Sequence, residues 1–109
     1  MSRTLSLVIL LVAAVLEAGG DALVRSALHA SSLPARLALL AFGAIVLCSY
    51  GYAVNRPPWD FGRLIGVYVV FFFLVAQVIA WLAFDQRPTT PIAIGGALIV
   101  AGGAVMALF

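Results

Sequence analysis

The sequence contains no lysine and little charge of any kind. Among its 109 residues, six are arginines and four are acids, so charged residues make up 9% and the net charge is +2. Proteins that bind nucleic acid or anionic lipid through electrostatics cluster their basic residues on one face or at one end of the chain. This composition therefore argues against a nucleic-acid partner.

The single cysteine, Cys48, excludes an internal disulfide, and we expect it to be a small buried apolar residue. The chain also lacks a cluster with metal-ligand spacing, a glycine-rich phosphate loop and a nucleophile–base pair. Its only histidine, His29, falls in a predicted break between apolar segments, where we expect it to be solvated. Nothing here supports an enzyme, a metal or another cofactor.

Apolar residues, by contrast, are abundant. They form 65% of the chain, and the mean hydropathy is +1.21. About 20 apolar residues carry a helix across the hydrocarbon core of a bilayer, so four crossings with short turns would occupy residues 1–109 as one domain. Backbone amides in lipid must be satisfied within the segment, which favours helices over strands. The sequence therefore predicts an all-α membrane protein with four transmembrane helices.

Short polar and proline-containing breaks separate the four apolar segments. Pro34 is suited to the first turn of a helix, and the Asn55-Arg56-Pro57-Pro58 stretch cannot continue one. The first 22 residues also resemble a secretory signal. However, Glu17 precedes any plausible cleavage site and equally apolar segments follow, which favours a spanning helix. The predicted helices cover residues 4–25, 34–54, 61–84 and 91–109.

The arginines are divided evenly between the two predicted sides of the membrane. Four crossings place Arg3, Arg56 and Arg63 on one side, and Arg25, Arg36 and Arg87 on the other. The positive-inside rule then gives no preferred orientation. Either another feature orients the chain, or it inserts both ways and pairs with an inverted copy, which would supply the symmetry common in transporters. We expect an antiparallel homodimer, with a paired heteromer as the alternative.

Glu17 is the most informative residue, because it lies inside the first apolar segment. A carboxylate at such a depth costs about 2.5–3.5 kcal/mol on insertion scales and usually marks an ion or substrate pathway. Its helix face also carries Ala13, Ala14 and Gly20, which leave room for a cavity. Burial favours the neutral form of a carboxyl group, so Glu17 could hold a proton or an organic cation, but not both. The alternative is a neutral Glu17 hydrogen-bonded for packing alone.

Four further residues are candidates for the proton and substrate site. Asp21 lies one turn beyond Glu17, where it could pair with Arg25 or contact the ligand. Tyr68 offers a hydroxyl donor and a ring face for a cation. Arg63 is either a snorkelling interfacial residue or a gating or positioning group. Gln77 either bonds across helices or belongs to the site.

The fourth segment contains small residues at helical spacing, which allow membrane helices to approach closely. It has no ionisable side chain. The sequence therefore predicts a dimer interface at Gly95, Ala101 and Gly102.

Taken in order along the chain, several motifs resemble those of the small multidrug resistance family of the drug/metabolite transporter superfamily. The resemblance covers nearly the full length and is carried by Glu17, Arg25, Trp81, Gln86-Arg87, Pro91, Gly95 and Ala101-Gly102. It implies an antiparallel homodimer joined through the fourth helices. It also implies that Glu17 binds protons and cationic substrates competitively, with Tyr68 where the family usually has a cavity tryptophan.

The third helix departs from that family pattern. The usual Gly-x-Gly hinge is absent, because Val70 and Phe72 occupy the corresponding region. Glu17-Ala18-Gly19-Gly20 and Gly62-Arg63 resemble the divergent YnfA-type branch instead.

These features predict a proton-coupled antiporter that exports small organic cations across the inner membrane. One alternative is a flippase or exporter subunit for lipid-linked or polar metabolites. The other is a non-transporting membrane assembly factor, in which the glycine face matters and Glu17 is incidental.

Overall fold

A computed structural model describes all 109 residues, and they form four helices joined by short loops. Each helix is long and apolar enough to cross a membrane. The prediction of four transmembrane-type helices is therefore confirmed. The helices are α1 (Arg3–Leu28), α2 (Leu33–Val54), α3 (Phe61–Phe84) and α4 (Thr90–Leu108).

Capping residues explain where the helices begin and end. The Ser2 hydroxyl accepts a hydrogen bond from the Leu5 amide at 3.1 Å, which satisfies one of the free donors at the start of α1. Helix α1 ends three residues later than the sequence predicted, at Leu28. Its last turn is closed by His29, whose Nδ1 lies 2.8 Å from the Arg25 carbonyl oxygen. Helix α3 ends at Phe84, and the C-cap residue Asp85 has a left-handed backbone with φ 52°.

The helices lie in a row, in the order α2, α1, α3, α4, because α1 packs on α2 and α3 whereas α4 packs on α3. Both chain termini and the α2–α3 loop lie at the same end of the helices, which we call the terminal end. We call the opposite end of the helices the loop end. The shortest dimension of the molecule is 19 Å, less than two helix diameters of about 10–12 Å. Such a thin layer leaves most large apolar side chains facing outward, as expected for a surface that meets acyl chains.

The central pair, α1 and α3, provides most of the small core. Leu10, Ala13 and Ala14 of α1 lie against Leu64, Val67 and Tyr68 of α3, and Val54 of α2 completes the cluster. Cys48, expected to be buried, is instead exposed on α2, because α2 lies at the edge of the layer and packs mainly on α1.

Glycines allow the helices to approach closely. A Cβ atom on Gly20 of α1 would lie 2.7 Å from Leu47 of α2, and one on Gly96 of α4 would lie 2.6 Å from Phe73 of α3. Gly103, one heptad after Gly96, would collide with Val70 in the same way. The small residues of α4 therefore serve first to seat that helix on α3.

At the terminal end, two arginines hold the C-terminus of α4. Arg63 donates from Nε to the Met106 carbonyl at 3.0 Å and from Nη2 to the Ala107 carbonyl at 2.9 Å. Arg3 donates to the same Ala107 oxygen at 3.1 Å. These bonds satisfy carbonyls that have no partner within the helix and place positive charge at the negative end of its dipole.

Candidate functional site

The candidate site is centred on the Glu17 carboxyl group, which lies between α1 and α3. The Tyr68 hydroxyl donates a hydrogen bond to Glu17 Oε1 at 2.9 Å. Tyr68 itself is only 3% exposed, whereas Glu17 is half-buried. The structure therefore brings together two of the residues that the sequence predicts for the site.

The Tyr68 hydroxyl has a second acceptor within reach. Its oxygen lies 3.3 Å from the carbonyl oxygen of Ala13, one turn before Glu17 on α1. A phenolic hydroxyl carries one proton, so it donates to one acceptor at a time and can itself accept. Tyr68 can therefore donate to an ionised Glu17, or turn to Ala13 when Glu17 carries a proton of its own.

Aromatic rings form one wall of the site. The Tyr68 ring centroid lies 5.6 Å from that of Tyr50 on α2 and 6.2 Å from that of Phe72, one turn further along α3. Tyr50 also lies close to the Glu17 carboxyl group. Of the two tyrosines, only Tyr68 forms a hydrogen bond with that group. Ring faces of this kind attract cations.

Sequence reasoning missed Tyr50. This tyrosine lies near the end of the second apolar segment, where aromatic rings favour the membrane interface. Helix α2 turns this residue inward, and it is half-buried beside Tyr68. The periodicity of α2 gave no signal for this, since its apolar residues cover all sides of the helix.

No arginine neutralises Glu17. All six guanidinium groups bind carbonyl oxygens, a hydroxyl or aromatic rings near the helix ends. Arg3, Arg36 and Arg63 donate to backbone carbonyls, whereas Arg25, Arg56 and Arg87 lie over the rings of Phe84, Tyr52 and Trp81. The only side chain that bonds Glu17 is thus a neutral phenol, and a carboxylate without a counter-ion is open to a proton or a cation.

Asp21 lies on α1 one turn beyond Glu17 and is exposed. It does not form the expected ion pair with Arg25, because the Arg25 guanidinium lies over the Phe84 ring at 5.3 Å from its centroid. Asp21 lines a cleft between α1 and α3 that also contains Phe72. Because Phe72 stacks on Tyr68, this cleft adjoins the Glu17 site.

Arg63 and Gln77 lie apart from Glu17. Arg63 binds the C-terminus of α4, and its guanidinium also lies 5.5 Å from the centre of the Trp59 ring. Gln77 is nine residues after Tyr68, about 180° around the helix at 3.6 residues per turn. It therefore lines the groove between α3 and α4.

Of the three residues predicted for a dimer interface, Gly95 and Gly102 lie on the free side of α4, whereas Ala101 lines the groove between α3 and α4. Cβ atoms built on Gly95 and Gly102 would meet nothing within 4 Å, and Ala101 is exposed. This side is distinct from the Gly96 and Gly103 side that packs on α3. It is open to lipid or to another protein chain.

The fold and site define a class: a small multi-pass membrane-type protein with an unpaired carboxyl group among aromatic rings. Comparisons with protein-family models, curated protein sequences and solved structures found no match. The resemblance to the small multidrug resistance family therefore remains a prediction from the residues quoted above.

Proposed function

We propose that this protein is a transporter that exchanges protons for small organic cations at Glu17. One observation carries the proposal: a half-buried carboxyl group within an apolar helix is hydrogen-bonded only by the Tyr68 hydroxyl. Ionisable groups at such positions are costly to insert and usually line transport pathways.

The exchange follows from the exclusive occupancy of one carboxyl group. A protonated Glu17 is neutral and has little attraction for a cation, whereas a bound cation favours the ionised form. Each ligand therefore displaces the other. The aromatic wall of Tyr50, Tyr68 and Phe72 suits an organic cation better than a strongly hydrated metal ion.

The working unit that we propose is an antiparallel homodimer in the inner membrane. A single chain forms a layer only 19 Å thick, which cannot surround a substrate. The Gly95 and Gly102 side of α4 is open to a partner, and the even distribution of arginines permits insertion in both orientations. A closely similar but oppositely oriented second protein would serve in the same way.

The proposal is tested with purified protein in proteoliposomes, by solid-supported membrane electrophysiology against a panel of organic cations. We expect proton-coupled currents that Glu17→Gln abolishes. The matched control is Asp60→Asn, which removes an acid at the start of α3 whose side chain makes no capping hydrogen bond. The control should keep the currents.

A second measurement follows protons directly. Addition of a transported cation to weakly buffered protein should release protons from the wild type and from Asp60→Asn, but not from Glu17→Gln. Unchanged currents in Glu17→Gln would refute the proposed mechanism. A wild type that is inert towards every cation would favour a lipid-linked or polar metabolite as substrate, or an assembly role.

A further inference from the structure

A cleft of about 200 Å³ lies between α1 and α3, on the loop-end side of Glu17. Its floor is made of small residues, including Ala18, Ala22 and Ala76. Its only acid is Asp21, and two phenylalanines, Phe72 and Phe84, contribute to its walls. A carboxyl group and aromatic rings in one cleft are the components of a cation site.

The Asp21 carboxyl group forms no ion pair, although an arginine lies close to it on the same helix. Arg25 lies one turn further along α1, a spacing that favours ion pairs on a helix surface. The guanidinium nevertheless lies 5.3 Å from the centroid of the Phe84 ring on α3. Arg25 thus bridges the two helices and leaves the Asp21 carboxyl group free.

A second cavity, of about 280 Å³, lies beyond Arg25 at the loop end, and Ser26 and His29 line it. Three residues line both cavities: Arg25, Phe84 and Gln86. They therefore form the partition between the inner cleft and this outer vestibule. The Arg25–Phe84 contact spans that partition from α1 to α3.

We propose that Asp21, Phe72 and Phe84 form a second binding site for a small organic cation, and that Arg25 closes it when it is empty. An arriving cation competes with the Arg25 guanidinium for the Phe84 ring. Once displaced from the Phe84 ring, the Arg25 guanidinium no longer spans α1 and α3, and the cleft opens to the vestibule. The cleft is smaller than the about 300–1,000 Å³ typical of sites for drug-sized ligands, which limits it to cations of the size of tetramethylammonium.

The choice of an organic cation as ligand rests on the proposed function of Glu17. The two sites share the Phe72 ring but have different carboxyl groups, because Glu17 does not line the cleft. Binding at Asp21 can therefore be measured in a Glu17→Gln chain, where the first site has lost its charge. This background separates the two proposals experimentally.

The test is calorimetric titration of full-length Glu17→Gln protein in nanodiscs with tetramethylammonium. Adding Asp21→Asn should weaken binding about tenfold or more, because it removes the only carboxylate of the cleft. Adding Arg25→Gln should tighten binding about threefold or more, because it removes the competing cation from the Phe84 ring.

Two control substitutions in the same background match these charge changes at the same end of the molecule. Arg87→Gln removes an arginine that lies over Trp81, outside the cleft. Asp85→Asn removes an acid at a left-handed position that asparagine tolerates. Both controls should bind tetramethylammonium as the Glu17→Gln parent does.

A fluorine label on Phe84 reports cation binding in protein that retains Arg25, so this measurement does not require the Arg25 variant to fold. Tetramethylammonium should shift the ¹⁹F resonance of Phe84, and Asp21→Asn should abolish that shift. The proposed site would be overturned if tetramethylammonium did not bind the Glu17→Gln parent, or if Asp21→Asn left that binding unchanged. An unmoved Phe84 resonance during Asp21-dependent binding would overturn the closing role of Arg25. Failure of the Glu17 mechanism would appear separately, as transport currents that survive Glu17→Gln.

Discussion

The Tyr68 hydroxyl lies between two acceptors on α1, 2.9 Å from Glu17 Oε1 and 3.3 Å from the Ala13 carbonyl oxygen. One proton on the hydroxyl can serve only one of them at a time. The choice therefore depends on whether Glu17 is ionised. Tyr68 connects the state of the carboxyl group to the contact between α1 and α3.

Tyr68→Phe should weaken the response to cations while the fold is retained. The ring keeps its contacts with Tyr50 and Phe72, but Glu17 loses its only hydrogen-bond donor. Hydrogen bonds to charged groups contribute about 1.5–3 kcal/mol, so proton release on cation binding should need roughly 10-fold to 100-fold more cation.

The matched control is Tyr52→Phe, which removes an exposed hydroxyl bonded to Arg56. Equal cation responses in Tyr68→Phe and the control would show that the Tyr68 hydroxyl has no part in binding.

Arg63→Ala should loosen the last turn of α4. Two hydrogen bonds to the Met106 and Ala107 carbonyls disappear, leaving only the Arg3 bond. We expect faster amide hydrogen exchange over residues 105–109 and a loss of about 1–2 kcal/mol in stability.

Arg56→Ala is the control for Arg63→Ala, because Arg56 lies at the same end of the molecule but binds the exposed Tyr52 side chain. If exchange near the C-terminus rose equally in both variants, a general effect of charge would explain it.

Gly103→Leu and Gly102→Leu should separate packing within the chain from association between chains. A side chain at Gly103 collides with Val70 of α3, whereas one at Gly102 meets nothing within 4 Å. Gly103→Leu should therefore lower the thermal unfolding temperature. Gly102→Leu should leave that of the isolated chain unchanged but weaken dimer formation.

Sedimentation equilibrium in detergent, at several protein concentrations, would measure the association of the Gly102 and Gly103 variants. A dimer of undiminished stability in Gly102→Leu would place the interface elsewhere.

Arg36→Gln should bias the orientation of the chain. The wild type has three arginines at each end, so a C-terminal tag should be accessible from both sides of the membrane. Removal of Arg36 leaves three at the terminal end against two at the loop end. The tag should then be found mainly in the cytoplasm.

Arg36→Lys keeps the charge and should retain both orientations. A wild-type tag accessible from one side only would contradict dual insertion.

Much of the fold was predictable from the sequence, because lipid imposes simple rules on a chain. Apolar runs of spanning length must be helical when water is absent, and Pro57, Pro58 and Pro88 mark where helices cannot continue. The third helix accordingly begins and ends where the sequence predicted. Helix α1 runs further, to Leu28, because the His29 side chain caps its last turn, an interaction that composition does not reveal.

The sequence by itself also determined Glu17 as the first candidate for a functional site, since a carboxyl group inside an apolar segment is conspicuous without any knowledge of neighbours. Only the tertiary structure decided its surroundings. It brought Tyr50 and Tyr68 beside that carboxyl group, placed Arg63 on the end of α4, and turned Arg25 away from Asp21 towards Phe84. Spacing along one helix specifies which residues share a face. The partner that each residue meets depends on how two helices approach, and that depends on small residues such as Gly20, Gly96 and Gly103.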